Sequence, residues 1–330
     1  MAGWTRLARA VCVVSLPVVV AAAAVPAVAA AATATAIPAA SATANAPGSH
    51  RGDVAFVEDG DLYLDSHTTG IVRRLTWGAG RGDPAFSPSG AQIAYDRAGD
   101  IWVLTIGAGT RQVTHTGKAS QPAWSPDGRT LAFTEVVVPG RSEIFQIPAA
   151  GGTAVRLTWT ESSGCSASQP SWQGAGGWVD YVRTNPGGGS CTAGIVRRSA
   201  SSTGQLIVPD PFAREPVATT DGRHLVYLAP CDRSVCLNTG VWSATVTGAG
   251  RHTSEPLGGW SCGEGDMCVQ AISGSPFGGW AEEGTWSDPD TGQVMTCFQG
   301  VVENPDGSVA RTAPSECVDL LAGAFTVRPS

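Results

Sequence analysis

The chain has 330 residues, with 28 acidic and 21 basic side chains and a formal net charge of −7. Lys118 is its only lysine. The sequence therefore has no basic stripe that could release counterions from a phosphate backbone, and nucleic acid is not an expected partner.

The first 50 residues are predicted to lie outside the folded domain. Arg6 and Arg9 precede an apolar run and the small-residue segment 27–29, which predicts a secretory signal peptide over residues 1–29. An uncleaved anchor is the alternative, although the run is barely long enough to span a bilayer. Residues 30–50, rich in Ala, Thr and Pro, predict a disordered linker. We expect a secreted or otherwise extracytoplasmic monomer with no membrane span in the mature chain.

Residues 51–330 contain an internal repeat, and their length is normal for one large all-β domain. Residues 54–64 align with residues 93–103 without a gap, and the unit returns at 131–133 followed by 143–147. Each copy ends in a further strand that carries a threonine. These threonines are Thr76, Thr114 and Thr158.

A fourth element precedes each of these strand triplets. Residues 83–90 and 121–128 share the order Pro-Ala-aromatic-Ser-Pro, and weaker copies begin at Gln169 and Glu215. The shared prolines recur after roughly forty to fifty residues, the period of propeller blades. In the turn 125–128, proline fixes one backbone angle and glycine takes the left-handed one, which favours a hairpin.

The repeat predicts an all-β fold, a single β-propeller of about six four-stranded blades. Runs such as 101–104 are apolar at consecutive positions, so both strand faces should be buried, as in sheets stacked around an axis. The first unit lacks its first strand. We expect the apolar tail 320–327 to supply that strand and to close the ring.

The pattern from Pro122 to Phe133 resembles the WD-type repeat of TolB-like propellers, which also occurs in the propellers of prolyl oligopeptidase-like peptidases. The resemblance is close over 54–159, degraded over 165–255 and only suggestive beyond. It implies a role in envelope-associated assemblies by analogy of fold. It assigns no functional residue, because the shared residues are structural.

Eight cysteines follow the predicted signal peptide. An even number in an exported chain favours disulfides, and neither Cys-x-x-Cys nor mixed Cys and His spacing supports a zinc site. Other connectivities stay open, but pairing between sequence neighbours is the simplest scheme. The expected pairs are Cys165–Cys191, Cys231–Cys236, Cys262–Cys268 and Cys297–Cys317.

No catalytic residue is assigned. Residues 259–263 match Gly-x-Ser-x-Gly, but no helix pattern follows, and His252 is the last histidine. A peptidase would need a hydrolase domain after the propeller, and we expect none in the remaining sequence. The two Arg-Gly-Asp tripeptides, at 51–53 and 81–83, are interpreted as coincidence.

Four polar residues, Asp83, Gln121, Gln169 and Glu215, stand immediately before the repeated prolines. If the strands are equivalent, these side chains form a polar ring at one mouth of the channel. Two carboxylates and two amides suit calcium or a polar ligand group. The alternative is that each side chain only hydrogen-bonds the turn of its own blade.

The favoured function is that of an exported, non-catalytic binding or scaffold protein, which presents its channel mouth and loops to a protein or cell-envelope component. The alternative is a calcium-assisted hydrolase, lactonase- or lyase-like propeller, with Asp83 and Glu215 as metal ligands. That reading lacks a general base. Carbohydrate binding by exposed tryptophans is a weaker third hypothesis. No cofactor other than calcium is expected.

Overall fold

The computed structural model describes residues 53–66, 71–78, 82–174, 177–218, 224–230, 239–245, 255–256, 267–274, 280–287, 294–303, 309–311, 316–318 and 325–327. All of them lie in one compact unit, Pro47–Ser330. Their regular structure is β apart from the 3-10 turn Glu161–Ser163. In these ranges no helix is long and apolar enough to cross a membrane.

The described strands pair into six antiparallel sheets, which we number in chain order. Sheet 1 contains Phe325–Val327, Val54–Glu58, Asp61–Ser66 and Ile71–Arg74 in hydrogen-bonded order. Sheet 2 contains Ala85–Phe86, Gln92–Arg97, Asp100–Thr105 and Gly109–Gln112. Sheet 3 contains Ala119–Trp124, Thr130–Val138, Arg141–Pro148 and Val155–Arg156.

The later sheets follow the same order from first to fourth strand. Sheet 4 contains Ser166–Trp172, Trp178–Thr184, Gly194–Ser199 and Gln205–Val208. Sheet 5 contains Arg214–Ala218, His224–Pro230, Thr239–Thr245 and Glu255–Pro256. Sheet 6 contains Met267–Gly274, Trp280–Ser287, Val294–Glu303 and Val309–Arg311, and Glu316–Val318 also pairs with its third strand.

The first strand of each sheet lies against the first strand of the next sheet. Sheets that share one axis in this way form a β-propeller. The prediction of an all-β, single-propeller fold is confirmed. Four strands in every blade were expected, whereas sheet 6 includes a fifth strand.

The core lies between neighbouring sheets and explains the consecutive apolar residues. Leu131 and Phe133 are fully buried against sheet 2, in a cluster with Ile101. Ala132, which points to the opposite face of the same strand, is buried against sheet 4 with Val179. Because both faces of a middle strand are covered, the strand is apolar at every position rather than at alternate ones.

The predicted hairpin at 125–128 is present. Gly128 has a left-handed backbone with φ +69, and its N–H donates to the Ser125 carbonyl at 2.9 Å. The Ser125 hydroxyl donates to Asp127 Oδ1 at 2.6 Å and accepts the Thr130 N–H at 2.9 Å. The short turn therefore leads the first strand of sheet 3 directly into the second.

The repeated threonines join the third strand of a sheet to the residues after the fourth. Thr158 Oγ1 accepts the Ile144 N–H at 2.8 Å and donates to the buried carboxylate of Glu143. Arg156 pairs with the same carboxylate at 3.2 Å. Thr76 and Thr114 accept backbone N–H groups in the equivalent way, at 2.9 Å and 2.8 Å. The threonine is thus a structural part of the repeat.

The disulfide Cys165–Cys191 is present, with a Cα–Cα distance of 6.4 Å, so this pairing is confirmed. Cys297 and Cys317 lie opposite each other on paired strands of sheet 6, a register that suits the predicted bridge. The pair stays a prediction, as do Cys231–Cys236 and Cys262–Cys268. Cys231, Cys236 and Cys262 lie outside the described residues, and so do the predicted signal peptide and linker and the match at 259–263.

Candidate functional site

Three of the four predicted ring residues have an unusual backbone. Gln121, Gln169 and Glu215 have φ angles of +55, +53 and +51. This left-handed conformation is uncommon outside glycine, and a following proline ordinarily favours an extended one. Each residue lies where the first strand shifts register against the second strand, as in a β-bulge. The conformation costs about 1–2 kcal/mol per residue, so other contacts must compensate for it.

The compensating contacts are hydrogen bonds to the next sheet. Gln121 Oε1 accepts the Gln169 N–H at 3.0 Å, and Gln169 Oε1 accepts the Glu215 N–H at 3.0 Å. Glu215 Oε2 then accepts the Ile272 N–H at 2.9 Å. The bulge turns each side chain toward the neighbouring first strand. We call this series of bonds, which runs from sheet 3 to sheet 6, the inter-sheet relay. Each of its side chains accepts a bond from the next sheet, and Gln121 Oε1 also accepts the Thr134 hydroxyl of its own sheet at 2.9 Å.

Asp83 differs from the other three ring residues. Its backbone is not left-handed, and its N–H donates to Asp96 Oδ1 of its own sheet at 2.9 Å. Within the described residues its carboxylate has no hydrogen-bond or ion-pair partner. Gly82 is buried and Asp83 is partly buried, whereas the first residue of this Arg-Gly-Asp tripeptide lies outside the described residues. Sheets 2 and 3 are therefore not joined by the relay.

The carboxylates of Asp83, Asp96 and Glu215 are partly desolvated. Burial raises the pKa of Asp83. Burial raises the pKa of Asp96 to about 6, the Asp83 charge adds to this, and the hydrogen bond from the Asp83 N–H opposes it. Burial also raises the pKa of Glu215, against the opposing effects of the Ile272 N–H and the Arg214 charge.

The three carboxylates are also electrostatically coupled, because the Asp83 charge raises the pKa of both Asp96 and Glu215. Arg214 Nε lies 3.8 Å from Glu215 Oε1. The described residues contain no group of three or more His, Cys, Asp or Glu side chains placed to hold a metal ion.

The direction of the strands determines which loops lie at the same end of the sheets as Asp83, Asp96 and Glu215. Because successive strands are antiparallel, the loops between sheets and the turns between second and third strands emerge where the first strands begin. We call this the connection end. Trp77, Trp159 and Phe212 lie in loops between sheets and are 71%, 53% and 67% exposed. The guanidinium groups of Arg74 and Arg156 lie over the two tryptophan rings, at 5.5 and 5.7 Å.

The sequence did not reveal two further contacts between sheets. The Trp124 indole N–H donates to the Ala85 carbonyl at 3.0 Å, and the Trp172 indole N–H donates to the Ala123 carbonyl at 3.1 Å. The recurrence of tryptophan in the motif marked the position, but not the direction of the side chain. The sequence analysis also did not identify Asp96. Asp96 follows the apolar residues 93–95, but threonine occupies the equivalent position after residues 131–133, so the repeat does not mark a carboxylate there.

No family model matches the chain. Among solved structures, it is similar to TolB from Acinetobacter baumannii, with a TM-score of 0.62 and 18% identity over 86% of this chain and 68% of that one. It is also similar to a putative TolB from Agrobacterium tumefaciens, with a TM-score of 0.56 and 18% identity over 80% of this chain and 89% of that one.

Among curated proteins, an uncharacterized peptidase of Bacillus subtilis strain 168, YuxL, is 34% identical over 88 residues. The match covers 23% of this chain and only 13% of that protein, so it spans a small part of both. At 18% identity the structural similarity establishes the fold and not the activity. The chain therefore has a β-propeller fold that is similar to the two TolB structures.

Proposed function

We propose that the protein is an exported, non-catalytic binding or scaffold protein, whose propeller presents its channel mouth and connection end to a protein or cell-envelope component. One observation carries this proposal. Polar side chains at equivalent positions of consecutive first strands, on strained backbone, share one end of a TolB-like propeller with exposed aromatic residues. Loops held by a rigid scaffold are where binding surfaces commonly lie.

The exposed aromatic residues favour a macromolecular partner. Aromatic and arginine side chains are enriched at the centres of protein interfaces. Phe212 follows a Pro-Asp-Pro segment, and its N–H donates to Asp210 Oδ1 at 2.8 Å, so the loop that carries it is fixed. A fixed, exposed aromatic ring can be buried by a partner with little loss of conformational entropy.

We further propose that each sheet is one blade of a six-bladed ring and that the C-terminal strand closes it. Antiparallel pairing of Val54 with Val327 and of Phe56 with Phe325 supports this closure. So do the contacts of strand 325–327 with the first strands of sheets 2 and 6. The Cys165–Cys191 disulfide supports an extracytoplasmic location, because disulfides persist in oxidising compartments.

A calcium-assisted hydrolase, lactonase- or lyase-like enzyme is the second candidate. Asp83 and Glu215 are partly buried carboxylates whose pKa values are raised, and oxygen ligands of this kind suit calcium. A raised carboxyl pKa also suits general acid or base catalysis. The similarity of 88 residues to an uncharacterized peptidase is a separate reason to test hydrolysis.

The deciding experiment uses the mature protein as bait in an extract of the cell envelope, with Asp83→Asn as the test variant. Asparagine keeps the size of the side chain and removes its charge. Asp127→Asn is the control, because Asp127 lies on the first hairpin turn of sheet 3, at the opposite end. We expect the parent and the control to capture the same partner, and Asp83→Asn to capture about tenfold less.

Each protein is also assayed on ester, lactone and peptide substrates with and without calcium, and we expect no turnover. Calcium-dependent turnover that disappears in Asp83→Asn would replace the proposal with the enzyme. Failure of the parent to capture any envelope component specifically would refute the binding role.

A further inference from the structure

Among the described residues, the cationic side chain of Arg141 has no counter-charge. It directly follows the turn between the second and third strands of sheet 3, and therefore lies at the connection end. The side chain is partly buried, and its Nη1 is shielded from solvent without a hydrogen-bond partner. In the described part of the chain, no carboxylate pairs with it.

Three arginines of the propeller are paired with an acidic side chain, and Arg198, whose Nε is also shielded without a hydrogen-bond partner, lies over the Trp159 ring at 5.2 Å. The pairs are Arg74 with Asp61, Arg156 with Glu143 and Arg197 with Asp180. An ionised group loses hydration on burial, and without a partner this loss is not repaid. Acidic groups outnumber basic ones in this chain, so Arg141 does not lack a partner because carboxylates are scarce. The Arg141 guanidinium therefore has hydrogen-bonding capacity that no described residue uses.

Glycine backbone forms the walls around the Arg141 guanidinium. A Cβ atom added to Gly187 would lie 2.9 Å from Nη2, and one added to Gly164 would lie 3.6 Å from Nη1. A Cβ on Gly189 would meet the Gly164 backbone at 2.9 Å. Any other residue type at these positions would thus fill the space beside the guanidinium or displace the neighbouring backbone.

The glycine walls are held in place by covalent and polar contacts. Cys165 directly follows Gly164, and Cys191 follows the segment 187–189 after one residue, so their disulfide ties the two walls together. Asn185 Nδ2 donates to the Cys191 carbonyl at 3.0 Å. A site that is ordered before its ligand arrives loses less entropy on binding.

We propose that Arg141 and its glycine walls bind an oxyanion, either a carboxylate or a phosphate. The planar guanidinium fork matches two oxygens of such a group. Gly164 lies beside Nη1 and Gly187 beside Nη2, so a small outward shift of these backbone segments lets a ligand oxygen reach the guanidinium. The site does not depend on the partner proposed above, and it can be tested with small anions alone.

The test follows thermal unfolding of the mature, disulfide-bonded protein during titration with inorganic phosphate and, separately, with acetate. Sodium chloride keeps the ionic strength constant. Arg141→Gln is the test variant. Arg183→Gln is the matched control, because Arg183 donates to the Thr192 carbonyl at 2.7 Å at the same end, and its loss removes the same charge. We expect a saturable rise in Tm with at least one anion in the parent and the control, and none in Arg141→Gln.

The two anions distinguish a phosphate site from a carboxylate site. An equal rise in Arg141→Gln, or no saturable rise in the parent with either anion, overturns the proposal. If Arg141→Gln does not fold, the parent is treated with phenylglyoxal, an arginine-selective reagent, and the modified peptides are mapped. The anion should slow the modification of Arg141 and leave that of Arg183 unchanged. Equal rates at Arg141 with and without anion would equally refute the site.

Discussion

Sheets 3 and 4 are neighbours with the same strand order, yet different contacts stabilise them. In sheet 3, Thr158 accepts the Ile144 N–H and donates to Glu143, which joins the third strand to the end of the fourth. In sheet 4, Val208 pairs with Ile195 on the corresponding strands and has no hydroxyl to make such a bond. Sheet 4 thus has valine in place of the repeated threonine and still contains four hydrogen-bonded strands.

A buried charged group replaces the threonine bonds in sheet 4. Asp180 is fully buried and accepts two hydrogen bonds from Arg197, at 2.8 and 2.9 Å. Gln173 Nε2 donates to the same carboxylate at 2.9 Å. A disulfide also links residues 165 and 191 of this sheet. The comparison shows that the motif can fade while the blade persists, because polar and covalent contacts of another kind take over.

The largest expected effect comes from removing one member of the charged pair in sheet 4. Asp180→Leu leaves Arg197 buried without its carboxylate, and we expect the free energy of unfolding to fall by about 3–5 kcal/mol. Urea unfolding measures it. The double variant Asp180→Leu with Arg197→Met is the control and should recover most of the loss. A double variant as unstable as the single one would show that the pair is not the cause.

Loss of the disulfide should have the next largest effect. Replacing Cys165 and Cys191 by serine removes a link across 26 residues, and we expect a loss of about 2–4 kcal/mol in unfolding free energy. The same urea measurement on the parent, with and without a reducing agent, provides the control. An unchanged midpoint after reduction would mean that sheet 4 does not depend on this bridge.

In sheet 3, the corresponding change is Thr158→Val. It leaves the Ile144 N–H without its acceptor, and we expect a loss of about 1–3 kcal/mol, seen as a lower urea midpoint. Thr160→Val is the matched control, because Thr160 also donates to Glu143, at 3.0 Å, but at a more exposed position. Equal losses in the two variants would remove the special role of the repeated threonine.

The smallest effect concerns the pH dependence of stability that arises from Asp96 in sheet 2. The folded-state pKa of Asp96, about 6, lies above its ordinary value of 3.8, so folding favours the protonated form. Its contribution to stability is complete below pH 3.8 and is lost as the pH rises through about 6. After allowance for the partial exposure of Asp96, we expect the free energy of unfolding to decrease by about 1–2 kcal/mol between pH 4 and pH 7. The check is urea unfolding of the parent and of Asp96→Asn across this pH range, and the variant should show a smaller decrease. Identical pH profiles of the two proteins would disprove the role of Asp96.

The sequence predicted most of the fold and part of the site, for physical reasons that differ along the chain. The hairpin at 125–128 could be predicted because its residue types act locally. The direction of the Gln121 and Gln169 side chains could not, because local preference before a proline opposes the left-handed backbone that aims them. The pair Asp180–Arg197 carries no repeat signature, since it forms only when two strands with different motifs are packed together.

Hydrogen exchange at the Glu215 amide tests most directly whether the ring residues join neighbouring sheets. If Gln169 Oε1 accepts this N–H, Gln169→Ala should make the Glu215 amide exchange about tenfold faster, equivalent to about 1.4 kcal/mol. The amide of residue 169, which Gln121 Oε1 and Thr134 Oγ1 accept, should keep the protection that it has in the parent. An unchanged rate at Glu215 would contradict the inter-sheet relay.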